Sequence, residues 1–164
     1  MQHRNARGSA LTFSAALILS SIIVACHSYN AGVVTGVNDD PNIRFGPAPA
    51  VFPAGAQMAV LQGDPSKSEP FTVRLRFPDG YVVSPHTHPT DEHITVIDGT
   101  FKVGMGGTFN EASTVALRAG GFVTAPAQHA HFAKAQGATT VQVTAVGPFV
   151  LTYVNPADLP AGAR

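Results

Sequence analysis

From Val51 onward, apolar residues come in short runs that alternate with polar ones, and turn residues break the chain at intervals of roughly ten. In "FTVRLRF", Phe71, Val73, Leu75 and Phe77 fall on one face, while Thr72, Arg74 and Arg76 fall on the other. That period of two belongs to a strand with one dry and one wet face. "TVQVTAV" repeats it, with Val141 and Val143 on one side and Thr140, Gln142 and Thr144 on the other. The same reading makes strands of "AQMAVLQG", "YVVSP", "EHITVI", "TFKVGM", "STVAL", "GFVTA", "AHFAKA" and "FVLTYV". Between them lie "GDPS", "PDG", "DG", "GG", "AGG", "QGA" and "GP". "ITVI-DG-TFKV" reads as a two-residue hairpin, since Asp98-Gly99 suits the positive φ values of a type I′ turn. About ten short antiparallel strands, with no segment of helical period, predict an all-β sandwich or barrel.

The N-terminus follows another pattern. "MQHRNARG" is a basic head, and "SALTFSAALILSSIIVA" is an uncharged apolar run of 17 residues. This is the layout of a secretory signal, and the run is short for a spanning helix, which needs roughly 20. Cys26 closes it in the context Ile23-Val24-Ala25-Cys26, which resembles the lipobox of bacterial lipoproteins. The resemblance implies cleavage before Cys26, lipidation of its thiol, and export to the periplasm or cell envelope with attachment to the membrane through the lipid. The expected organisation is a signal peptide over 1–25, a flexible tether over 26–50 rich in Gly, Pro, Asn and Asp, and one domain over 51–164.

Composition narrows the function. Ten bases balance ten acids, and only 12% of residues are charged, so the basic stripe of a nucleic-acid binder is absent. Once residues 1–25 are removed with Arg4 and Arg7, eight bases face ten acids. With a single cysteine the chain forms no internal disulfide, and packing must supply its stability. No serine occupies a Gly-x-Ser-x-Gly elbow, and "GMGG" at 104–107 follows a strand without opening a helix, so it reads as a turn rather than a phosphate loop.

The chemistry concentrates in "GYVVSPHTHPTDEHITVIDG", residues 80–99. His86 and His88, two apart, leave an extended chain on the same face. Pro89-Thr90-Asp91 interrupts the strand. Beyond it Glu92, Ile94 and Val96 share one face, and His93, Thr95 and Ile97 the other. If the Ile94/Val96 face looks into a barrel, Glu92 looks inward as well. A buried carboxylate is costly unless a cation compensates for its desolvation.

The spacing Gly80, five residues, His86, one, His88, three, Glu92, six, Gly99 resembles the first motif of the cupin family at every defined position. The second motif of that family is met by Gly120, Pro126 and His131 in "GGFVTAPAQHAHFAKA". It departs twice: Gln128 stands where Gly is usual, in the turn before the ligand strand, and Ala135 stands where Asn is usual. "HPTDEH", "GTFKVGMGGTF" and "VGPFVLTYVNPADLP" also look like small single-domain bacterial cupins. The resemblance covers roughly residues 55–155 and implies a jelly-roll β-barrel. It further implies a metal held by His86, His88, Glu92 and His131, with His93 and His129 as additional candidates.

Three imidazoles and one carboxylate suit one divalent transition metal, Fe, Mn, Ni, Cu or Zn. In cupins such a centre supports dioxygenation, decarboxylation or isomerisation of a small oxygen-bearing molecule, so an oxidoreductase, lyase or isomerase is one reading. A non-catalytic module that binds or senses a metal or small ligand at the cell envelope is the second, and a metal-free structural cupin the third. No catalytic residue is assigned, although a non-ligating His93 or His129 could act as general base. Cupin barrels also pair through their sheets, so the resemblance carries the expectation of a homodimer.

Overall fold

A computed structural model describes residues 42–163. The expected signal peptide, Cys26 and the tether as far as residue 41 lie outside the described residues. Nine strands follow one another: β1 Gly46–Pro47, β2 Gln57–Gln62, β3 Pro70–Phe77, β4 Val82–Thr87, β5 Glu92–Met105, β6 Val115–Arg118, β7 Phe122–Ala125, β8 His131–Val146 and β9 Thr152–Tyr153. All the pairings are antiparallel.

Two long strands organise the rest. The C-terminal half of β8 runs between β3 and the N-terminal half of β5, which in turn pairs with β7. The N-terminal half of β8 runs between β4 and the C-terminal half of β5, which pairs with β6. The β5–β8 ladder therefore passes from one face of a sandwich to the other, and the sheet closes on itself. This is a jelly roll, as the alternation of apolar and polar positions predicts.

The expected Asp98-Gly99 hairpin does not form. Both flanking segments pair with β8 and not with each other, and the register slips around Asp98 and Thr100. Only Gly99 has a positive φ, +79°, whereas a type I′ turn needs two such residues. The Asp-Gly pair instead marks a bulge where the long strand bends. Gly137, at φ +74°, marks the matching bend of β8. Thr139 fastens the corner, its buried hydroxyl lying 3.1 Å from the carbonyls of Thr100 and Gly137. Four of the expected strands thus fuse into two.

The core takes the inward residue of each alternation. Phe71, Val73, Leu75 and Phe77 of β3 meet Ile94 and Val96 of β5 and Val141 and Val143 of β8. Phe101, Val103, Ala133 and Ala135 line the opposite face. Each large side chain so buried contributes about 1.5–3 kcal/mol, which replaces what disulfides would give. The Arg face of β3 is outward: Arg74 Nε donates to Gln142 Oε1 at 3.2 Å, and Arg76 lies 3.7 Å over the Phe45 ring.

The folded part also reaches into residues expected as tether. Ile43 is buried, and Gly46–Pro47 pair with Met58 and Gln57. The chain then runs over the barrel through Val51, Phe52 and Pro53. Tyr153 Oη donates to the Val51 carbonyl at 2.9 Å and Tyr81 Oη to the Pro53 carbonyl at 2.6 Å, so both phenols grip the segment on either side of Phe52.

Candidate metal centre

His86 is on β4 and lies opposite both His131, the first residue of β8, and Tyr153 of β9. His88 follows one residue beyond the end of β4, and Glu92 opens β5, opposite Ala125 of β7. These placements bring one donor atom from each of His86, His88, Glu92 and His131 within 4.8 Å of one another. All four side chains are buried in a barrel whose interior is mostly apolar. Glu92 points inward and His93 outward, as strand parity predicts.

Each imidazole is oriented through its second nitrogen. Nδ1 of His86 lies 2.7 Å from the Ser84 carbonyl, that of His88 2.9 Å from the Val150 carbonyl, and that of His131 3.1 Å from the His129 carbonyl. A carbonyl only accepts, so each Nδ1 carries the proton and each Nε2 turns its lone pair toward the cluster. Phe149 stacks on His88 at 4.1 Å between centroids and 14° between planes, which fixes the plane of that ring.

This arrangement fits a cation. Nε2 of His88 is buried and has no hydrogen-bond partner, an expensive condition for a nitrogen unless a metal takes its lone pair. His131 Nε2 lies 3.1 Å from Glu92 Oε2, so a positive charge must sit between lone pair and carboxylate, on a proton or on a metal. The titration of the metal-free cluster agrees. Burial, then the neighbouring His131 and His88, push His86 down to about 3. Burial likewise lowers His88. Burial alone would raise Glu92, but the hydrogen bond with His131 and the nearby imidazoles outweigh it and hold the carboxyl below its usual range. Burial alone would lower His131, yet the bond to Glu92, its charge and the His129 carbonyl raise it. These shifts favour charge on the Glu92–His131 pair and disfavour it on His86 and His88.

Gln128 preserves the turn that glycine usually makes. It adopts the left-handed conformation itself, φ +62°, alone among the described non-glycine residues. The register of β8 is therefore intact and His131 faces the cluster. The other two histidines do not join it. His93 is exposed, with Nδ1 3.0 Å from Thr124 Oγ1 and its ring stacked on the exposed Phe122. His129 is exposed with Nδ1 3.0 Å from the Ala127 carbonyl. Neither side chain is among the four donors brought together. His129 acts on the site only through its carbonyl.

Phe52, Phe149 and Leu151 were not legible as parts of the site. Nor were the carbonyls of Ser84 and Val150, because any residue type supplies a carbonyl. Phe52 and Leu151 join Leu75, Phe101 and Val143 in walling a small apolar cavity over the four donors. About 30 Å³ of it can hold the centre of a water, room for roughly two at about 10–15 Å³ each.

Comparison with known proteins places the fold and the family. The ChrR Cupin-like domain family matches residues 41–150, about two thirds of the chain. No curated protein matches. Among solved structures, the polyketide cyclase RemF from Streptomyces resistomycificus aligns with a TM-score of 0.61 at 14% identity, over 76% of this chain and 88% of that one. An RmlC-like cupin from Shewanella frigidimarina aligns at 0.54 and 18% identity, over 66% of this chain and 87% of that one. KdgF from Halomonas sp. aligns at 0.52 and 20% identity, over 66% and 91%. The shared feature is the jelly roll. The chain belongs to the ChrR Cupin-like domain family of the cupin superfamily.

Proposed function

We propose that this protein is a metal-binding cupin that holds a small oxygen-bearing molecule at a divalent metal carried by His86, His88, Glu92 and His131. The single observation that carries the reading is the buried Nε2 of His88, which makes no hydrogen bond, lies 3.6 Å from Glu92 Oε2 and shares a 4.8 Å cluster with three further donors. When bound, the ion would supply Lewis acidity to an oxygen of the ligand. The chain's own residues do the rest. Three backbone carbonyls hold the imidazole protons away from the cluster, and the Glu92 carboxylate neutralises part of the incoming charge. The apolar walls over the donors exclude bulk water, which strengthens every charge interaction inside. The donor set suits Fe, Mn, Ni, Cu or Zn.

Turnover of the dioxygenase, decarboxylase or isomerase type is the favoured activity, supported by four buried donors that line a cavity. The alternative is binding or sensing without turnover. It is supported by the cavity's lack of a free acid or base beyond the donors themselves. The signal-like residues 1–25 and Cys26 support placement at the cell envelope as a lipoprotein, and Cys26→Ala should then release the protein from membranes.

Elemental analysis of the purified protein, beside a His86/His88/His131 triple-alanine variant, tests the site. About one equivalent of transition metal, lost in the variant, is expected; equal content in both would refute the assignment. A substrate screen in which turnover disappears with His86→Ala would separate the enzyme from the binding module.

A further inference from the structure

A second cavity adjoins the first. It is lined only by apolar side chains, among them Met58, Phe71, Val73 and Phe149, and about 100 Å³ of it can hold the centre of a water. Four residues, Phe52, Leu75, Val143 and Leu151, wall both cavities. Phe149 is also common ground: one contact of its ring is the stack on His88, another is an edge-on approach to Phe71 at 5.1 Å. The two cavities therefore meet along a shared boundary of side chains. Its Leu75 and Val143 stand on rigid strands, whereas Phe52 comes from the overlying segment that Tyr81 and Tyr153 pin at Pro53 and Val51.

An apolar void of this size is a cost to the fold, since its walls forgo contacts they would otherwise make. Its lining is mostly apolar, so it offers a water few partners. What it accepts is hydrocarbon. We infer that this chamber houses the apolar tail of the ligand whose oxygen-bearing head sits at the four donors, with Phe52 as the residue that sets how far the tail extends. The inference rests on the function proposed above and names the ligand class: a compact monofunctional oxygen compound with a short alkyl tail. At about 100 Å³ the chamber is smaller than the roughly 150 Å³ void that admits benzene, so it selects an alkyl group over an aromatic ring.

The test is calorimetric titration of the zinc-loaded protein with acetate, propanoate, butanoate, pentanoate and benzoate. Each added methylene should tighten binding about fourfold, following about 0.8 kcal/mol per buried CH₂, until the chamber is full. Benzoate should gain nothing over acetate. Met58→Phe and Val73→Leu, which fill the chamber without touching the first cavity, should leave acetate binding unchanged and abolish the gain with chain length. Phe52→Ala should move the plateau to longer chains. If acetate binds but the series is flat in the wild-type protein, the chamber inference is overturned while the metal-site reading stands. If no carboxylate binds the zinc-loaded protein, the proposed function fails and the chamber inference with it.

Discussion

The backbone N–H of Gln128 donates to the carbonyl of His88 at 2.8 Å. One hydrogen bond thereby joins the turn before β8 to the end of β4, and so ties the strand that carries His131 to the one that carries His86. Gln128 makes it from a left-handed conformation that costs an L-residue about 1–2 kcal/mol. The chain keeps the geometry of the glycine turn and bears the strain.

Gln128→Gly should relieve that strain, less about 0.5–1 kcal/mol for glycine's greater freedom when unfolded. The net gain of up to about 1.5 kcal/mol corresponds to a melting temperature higher by up to roughly 3–6 °C. Gln128→Val, β-branched at a positive φ, should lower it and weaken metal binding, because His131 would lose its register. Thermal unfolding of the three proteins checks both directions; a Val variant as stable as wild type would show that the turn is free to rearrange.

Gly104 is not part of the turn that "GMGG" suggests. It lies within β5 opposite Phe132, and a Cβ there would run into the Phe132 ring, which is fully buried and follows His131 directly. Gly104→Ala should therefore destabilise the protein by roughly 1–3 kcal/mol through overpacking. Phe132→Leu in the same chain should restore part of the loss. Urea unfolding of the two single variants and the double variant measures the coupling, and purely additive losses would count against the clash.

The cases differ in why the sequence was or was not informative. Alternation over 71–77 and 140–146 reports burial directly, so the β class and the inward face were legible. The resemblance to the cupin motifs implied His86, His88, Glu92 and His131, and strand parity agreed in turning Glu92 inward. Asp98-Gly99 misled because a hairpin and a bulge in a long strand make the same local demand for a positive φ; only the long-range pairing with β8 separates them. Phe52 and Phe149 were invisible for another reason. Their role depends on which distant loop covers the barrel, and apolarity alone reads as core.

Phe149→Leu keeps an apolar side chain at the cavity wall but removes the stack on His88. Aromatic pairs contribute about 0.5–1.5 kcal/mol beyond their burial, so zinc affinity should weaken about two- to tenfold as the imidazole loosens. Competition with a chelator of known affinity reads this directly. Unchanged affinity would mean that the Val150 carbonyl alone orients the ring.

The pH dependence of metal binding follows from which imidazoles carry protons beforehand. His86, pushed down to about 3, is neutral near pH 6 and releases nothing when a metal binds, and His88, lowered by burial, carries less charge there than an ordinary imidazole. His131 is raised by Glu92, so its proton persists above the ordinary range and must leave for Nε2 to ligate. Log affinity should therefore climb by about one per pH unit on the acid side and flatten once pH passes the raised value. Three ordinary solvated histidines would instead approach a slope of three below about pH 6.5. The metal-free fold shows the opposite pull: His86 and His88 stabilise it above the ordinary value and lose that contribution as pH falls, while His131 stabilises it in acid and loses its contribution as pH rises. Zinc titrations between about pH 5.5 and 8.5, in two buffers of different ionisation enthalpy, count the protons released. One proton at pH 6 is the expected result, and Glu92→Gln should shift the break to lower pH by removing the partner that holds that proton. A count near three would mean that the buried imidazoles are charged in the metal-free protein, and the ion-pair description of the site would fall.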